Sequence, residues 1–306
     1  MEKGKIKTAI RRVGSDPNAW LAGNVLLRRL PFISNSADWI DELRGSSYIL
    51  EKAPIPEPDT VPLGDDSPIK LVHQAGDASM VWSVGSRAFC KVKIAHEAAT
   101  PEWATLQFLQ TQQPTFQTPK VLFHAEHQGL SYLILERLPG RTLDLAWPDL
   151  SIEWRRHYVE AVAKACIEMA QWRSDRLGGV DGKSIPEYYL QPRGSAGFGT
   201  MSNVCQEIGM DCSDLVFSHF DLGPTNIIVE QQPSTGVIGI IDFEIAGYLP
   251  RIWVRTKFRV SGGLNLSQAA DPVPTRWRSE VQNMLEGAGF RDCVEAWNAW
   301  RASENS

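Results

Sequence analysis

Apolar positions along this chain change their period near its middle. Between residues 69 and 135 they fall in short runs rich in Val, Ile, Leu and aromatic residues, which is the pattern of strands. Residues 70–73, 80–84, 88–94, 120–124 and 131–135 are expected to be strands. One helix interrupts them. Thr100-Pro101-Glu102 supplies a capping hydroxyl, a proline and a first-turn acid, and Trp103, Leu106 and Leu109 follow at helical spacing. Further on, residues 152–172 predict a long amphipathic helix, with Trp154, Tyr158, Ala161, Ala165, Met169 and Trp172 on one face. A shorter helix is expected over 201–208, and one or two more over 276–300. Ahead of the strands, 19–30 and 36–43 are expected as short helices. Residues 51–67, with Pro54, Pro56, Pro58, Pro62 and several acids, read as an exposed connector.

The segment 218–250 reads SHFDLGPTNIIVEQQPSTGVIGIIDFEIAGYLP. Its apolar runs 227–229 and 237–241 flank a polar loop containing Pro233 and Gly236, which predicts a hairpin. Antiparallel strands bring the chain back to its starting edge. Asp221 and Asn226, just before the first strand, are therefore expected close to Asp242, at the end of the second. Phosphoryl transfer to a hydroxyl calls for such a set. Mg²⁺ takes oxygen ligands, usually only one or two of them from protein, and Asn226 and Asp242 are the candidates. Asp221 is the candidate base that orients the acceptor hydroxyl and takes its proton. Asp and Asn also serve turns on their own account, but a spaced trio around a hairpin is more than a turn requires.

Composition narrows the field. At 306 residues, 43% hydrophobic and 22% charged, the chain has the make-up of an ordinary globular protein long enough for two lobes. A net charge of −5 and the lack of a Lys/Arg stripe argue against a nucleic-acid partner. Five scattered cysteines without a C-x-x-C pair suit a reduced compartment. No apolar run approaches a membrane span. The basic start MEKGKIKTAIRRVG lacks the apolar stretch of a signal peptide, so the cytoplasm is expected.

His219-Phe220-Asp221-Leu222-Gly223-Pro224-Thr225-Asn226, followed by Ile241-Asp242-Phe243-Glu244, resembles the aminoglycoside phosphotransferase and choline kinase superfamily, most of all its fungal branch. Phe220 and Gly223 depart from the H-G-D-x-H-P-x-N pattern frequent there. The resemblance implies an α+β, two-lobed, protein-kinase-like fold: a small β-rich N-lobe at 70–138, a larger mainly helical C-lobe at 139–306, and an N-terminal extension at 1–69. It implies an ATP- and Mg²⁺-dependent transfer of the γ-phosphate to a small-molecule hydroxyl. The alternative is a catalytically inactive nucleotide-binding or scaffold protein of the same fold. A strand lysine that grips phosphates is implied at Lys91, with Lys93 two residues on, and Glu102 is implied as its helix partner; Glu102 also suits the helix dipole. Gly76 and Ser79 mark a turn between two strands that can lay backbone N–H groups on phosphate, or that serves as a plain hairpin turn. Glu136 and Leu138 take the place of the segment whose backbone binds adenine. Glu244 is a second metal ligand or an acceptor contact, and the insertion 177–210 lies where the family builds its acceptor site. Neither the acceptor nor the oligomeric state follows from these residues.

Overall fold

The computed structural model describes residues 6–194 and 201–304. The first five residues of the basic N-terminal stretch, and residues 195–200 of the expected acceptor insertion, lie outside the described residues. Two compact units make up the chain, Met1–His96 with Pro119–Arg137 and Glu97–Thr118 with Leu138–Ser306.

The first unit is built from two antiparallel sheets. Strands β1 (Ile10–Val13), β2 (Ala19–Ala22), β3 (Val25–Leu30), β4 (Trp39–Asp41), β5 (Ser46–Lys52) and β6 (Thr60–Val61) form one in the order β4-β5-β3-β2-β1-β6. Strands β7 (Ile69–Ala75), β8 (Ser79–Val84), β9 (Ala88–Ile94), β10 (Val121–His127) and β11 (Leu130–Glu136) form the other in the order β10-β11-β9-β8-β7. The helices expected over 19–30 and 36–43 are absent. Ala22 pairs with Val25 across a two-residue turn, Gly23-Asn24, with Gly23 at φ +61°. Glycine in the first position is what a type II′ hairpin turn needs, and that requirement overrides the weak helical spacing. The N-terminal strands also share a core with the second sheet: Trp20, Leu27 and Tyr48 cluster with Val84, Cys90, Val92 and Ile134. Asp41, fully buried, accepts hydrogen bonds from the backbone N–H (2.8 Å) and hydroxyl of Ser86 in the β8–β9 turn. Residues 10–61 thus brace the turn that leads into β9.

The second unit opens with α1 (Glu102–Gln112) and resumes at β12 (Arg141–Thr142), α2 (Leu143–Ala146), α3 (Ile152–Met169), β13 (Arg173–Ser174) and α4 (Met201–Glu207). Then come β14 (Leu215–His219), β15 (Ile227–Val229), β16 (Gly239–Ile240), β17 (Ala246–Pro250), α5 (Arg251–Val260), α6 (Arg276–Gly287) and α7 (Val294–Ser303). Two three-stranded sheets, β12-β15-β16 and β13-β14-β17, lie among the helices. Val162, Met169, Trp253 and Trp277 are fully buried and supply much of the core. Phe108 of α1 packs on Phe217 of β14 (ring centroids 5.2 Å apart), which in turn meets Trp172 and Tyr248 at 5.4 and 5.6 Å. Offset and edge-on aromatic pairs of this kind each add about 0.5–1.5 kcal/mol beyond their buried area. They set α1 against the strands that carry the motif residues.

Candidate active site

β14 is buried at every residue and is the central strand of its sheet; β13 pairs its first two residues, and β17 pairs it through to its end, His219 opposite Ala246. It ends at His219, and the chain turns at once: Phe220 N–H donates to Ile245 O at 2.8 Å. The expected hairpin forms, with Ile227 opposite Ile240, and Ile241 N–H donates to Asn226 O at 3.0 Å. Glu230 shapes its loop. That carboxylate accepts from the backbone N–H groups of Ser234 (2.8 Å), Thr235 (3.0 Å) and Gly236 (3.0 Å) and from the hydroxyls of Ser234 and Thr235. These bonds hold the Glu230 carboxyl down at about 2.

Asp221, Asn226 and Asp242 are brought together. Asn226 Nδ2 donates to Asp221 O (2.8 Å) and to Asp221 Oδ2 (3.1 Å), so the amide nitrogen is committed to holding the Asp221 side chain. His219, 3% exposed, joins the two ends of the hairpin. Its Nδ1 accepts from Asp221 N–H at 3.1 Å and its Nε2 lies 3.0 Å from Ile241 O. This pair of bonds assigns the proton to Nε2 and makes the ring neutral. Burial pushes the imidazole below its ordinary 6.5. It also lifts the Asp221 carboxyl above the usual carboxylate range; His219 counters that rise and the charge of Asp242 adds to it.

Asp242 occupies the left-handed region, φ 66° and ψ 56°. A non-glycine residue held there costs about 1 kcal/mol and is common at functional turns. The turn is secured from the far side, where Glu102 Oε1 accepts from Phe243 N–H at 3.1 Å. Glu102, expected as the partner of a strand lysine, therefore lies among the motif acids: one carboxylate oxygen from each of Glu102, Asp242 and Glu244 falls within 4.8 Å of the others. Hard carboxylate oxygens suit Mg²⁺ in donor type, and the ion needs only one or two of the three. The expectation that Thr100 caps α1 is not met. Pro101 occupies the cap position without a side-chain bond, and the Thr100 hydroxyl donates instead to Asp181 at 2.5 Å.

The remaining candidates lie in the first unit or at its border. Gly76 (φ +57°) is in the exposed β7–β8 turn, and Ser79 opens β8 opposite Lys93. Lys91 and Lys93 are two apart on β9 and half-buried. Glu136 ends β11, where its N–H donates to Lys120 O and its carboxylate lies 3.6 Å from the Arg87 guanidinium. Leu138 begins the return to the second unit. The described part of the insertion and α7 enclose a groove of about 450 Å³ lined by Tyr188, Tyr189, Gln191, Arg193, Trp297 and Arg301.

Comparison with solved structures shows the fold. An aminoglycoside phosphotransferase from Streptomyces rimosus superposes with a TM-score of 0.50 at 17% identity, covering 76% of this chain and 92% of that one. A second aminoglycoside phosphotransferase, in a ternary complex with streptomycin and ATP, gives 0.46 at 13% identity, covering 71% and 76%. A third gives 0.45 at 17%, covering 78% and 93%. No family model matches the chain, and no curated protein matches it in sequence. The chain has an α+β, kinase-like fold.

Proposed function

We propose that this protein is an ATP- and Mg²⁺-dependent phosphotransferase that moves the γ-phosphoryl group to a hydroxyl of a small molecule. One observation carries the reading: the hairpin sets a partly buried carboxylate, Asp221, near Asp242, which forms a carboxylate cluster with Glu244 and with Glu102 of α1. The fold shared with an aminoglycoside phosphotransferase supports it.

In this reading Asp242 and Asn226 hold the cation, with Glu102 or Glu244 beside them. The Asn226 nitrogen is already given to Asp221, so its oxygen is the end offered to metal. Bound Mg²⁺ supplies neutralisation of phosphate charge. Asp221 receives the acceptor proton as the new O–P bond forms and the bond to the departing ADP breaks. Its raised affinity for a proton, caused by burial, suits a base. Lys91, or Lys93 on the same face of β9, grips phosphate, Gly76 and Ser79 offer backbone N–H groups to it, and the backbone at Glu136 and Leu138 meets adenine. His219 keeps the two ends of the site in register. The groove beside α7 is the proposed acceptor seat. Tyr188, Tyr189 and Trp297 give it an aromatic lining, and the Glu304 carboxylate bonds both Arg301 and the Arg193 N–H there.

Thermal shift with ATP, with and without Mg²⁺, tests the reading. The wild type gains stability from ATP chiefly when Mg²⁺ is present, and Asp242→Ala loses that Mg²⁺-dependent part. Equal shifts in the two proteins would remove Asp242 from the cation site.

A further inference from the structure

The segment 178–184, which the proposed mechanism leaves unused, is tied to both sides of the carboxylate cluster. On one side it grips the residues leading into α1. Ser184 N–H donates to Ala98 O (3.0 Å), Thr100 N–H donates to Ser184 O (2.8 Å), and the Thr100 hydroxyl donates to Asp181 Oδ1 (2.5 Å). Asp181 Oδ1 also accepts from Lys183 N–H at 3.1 Å, so the acceptor oxygen is fixed within its own loop. The approach is close: a Cβ on Gly179 would fall 1.8 Å from Thr100 Oγ1. On the other side Gly178 exchanges two backbone hydrogen bonds with Tyr248 (3.0 and 2.7 Å), on the strand that follows Glu244.

Helix α1 makes this arrangement consequential. It has no side-chain cap, and Pro101 brings no N–H of its own. Its first residue is Glu102, whose carboxylate reaches Phe243 N–H and the cluster. The start of α1 is therefore held from outside the helix, by the backbone bonds to Ser184 and by the side-chain bond from Thr100 to Asp181, 81 residues further along the chain.

We propose that Asp181, acting through Thr100, is a positioning residue for Glu102, and that segment 178–184 thereby sets the geometry of the cation site. The inference rests on the functional reading above. Groups that orient a metal ligand from behind change metal affinity about 10–100-fold when removed. Segment 178–184 also leads along the chain into residues 188–193, which line the proposed acceptor groove, so that groove is joined to the loop whose hydrogen bonds hold Thr100, two residues before Glu102.

Calorimetric titration of ATP in the presence and absence of Mg²⁺ gives the test, on wild type, Asp181→Ala, Thr100→Val, Thr100→Ser and Asp242→Ala. Asp181→Ala and Thr100→Val are expected to lower the ratio of the two affinities about tenfold. Affinity for metal-free ATP stays near wild type, and Thr100→Ser, which keeps the hydroxyl, preserves the ratio. A role confined to folding would lower the melting temperature without moving this ratio. Thr100→Val nearly conserves shape, so it carries the test if Asp181→Ala does not fold. A wild-type ratio in both Asp181→Ala and Thr100→Val, with Asp242→Ala abolishing Mg²⁺ dependence, overturns the role of Asp181 alone. A wild type with no Mg²⁺-dependent binding overturns the functional reading as well.

Discussion

Replacing His219 by alanine tests how the two ends of the hairpin are held. The side chain is 3% exposed and bonded at both ring nitrogens, to Asp221 N–H and to Ile241 O. Its loss strands two polar groups in a dry site, at about 1–2 kcal/mol each. The ring also stands edge-on to Phe243 with centroids 4.8 Å apart, a contact of about 1 kcal/mol. Together these give about 3–5 kcal/mol, a fall in melting temperature of about 10 °C for a unit of this size. His219→Asn keeps an acceptor near Asp221 N–H and loses the donor to Ile241, so about half the effect is expected from it. Urea denaturation of the three proteins, with unchanged slope as the check on two-state behaviour, measures the differences. A cost below about 1 kcal/mol for His219→Ala would refute the view that this imidazole fastens Asp221 to the strand ending at Asp242.

Two further outcomes follow from charges elsewhere in the second unit. Lys257 donates to both oxygens of Glu187 at 2.7 Å, with both residues almost fully buried and the ammonium over the Tyr189 ring. Lys257→Met leaves that carboxylate unpaired, at about 3–5 kcal/mol, whereas combining it with Glu187→Gln restores more than half of the lost stability in a thermal melt. Glu230 is held at about 2, against an ordinary 4.5, by the N–H groups of Ser234 and Gly236. A folded value below the unfolded one means stability present above pH 4.5 and lost as pH falls toward 2. Acid titration of Glu230→Gln should therefore show a shallower loss across that window than wild type.

Much of the candidate site was legible because it depends on local rules. A polar loop between two apolar runs predicts a hairpin, and a hairpin alone places Asp221 and Asn226 beside Asp242. The strands of the second sheet and the long helix α3 likewise follow from period and composition. Where the reading failed, the deciding interactions were distant or turned on a single residue. Ala19–Ala22 and Val25–Leu30 read as a helix until Gly23 is given its positive φ, which breaks the run into a hairpin. Thr100 looks like a cap because it precedes a proline and an acid, yet Asp181 takes its hydroxyl. That Glu102 also reaches Phe243 N–H and the carboxylate of Glu244 depends on the packing of α1 on β14, which no local pattern shows. His219 was visible two residues before Asp221, but its fastening role depends on a carbonyl 22 residues away.

The central claim is that Asp221 accepts a proton from a hydroxyl while the carboxylates around Asp242 hold the nucleotide's metal. Its most direct test is ADP release from MgATP over a panel of hydroxyl-bearing metabolites and antibiotics, run on wild type and the isosteric Asp221→Asn. The account predicts acceptor-dependent ADP release by wild type, a rate lower by about 10²–10⁴ in Asp221→Asn, and MgATP binding equal in both proteins. Turnover by Asp221→Asn at the wild-type rate would contradict it.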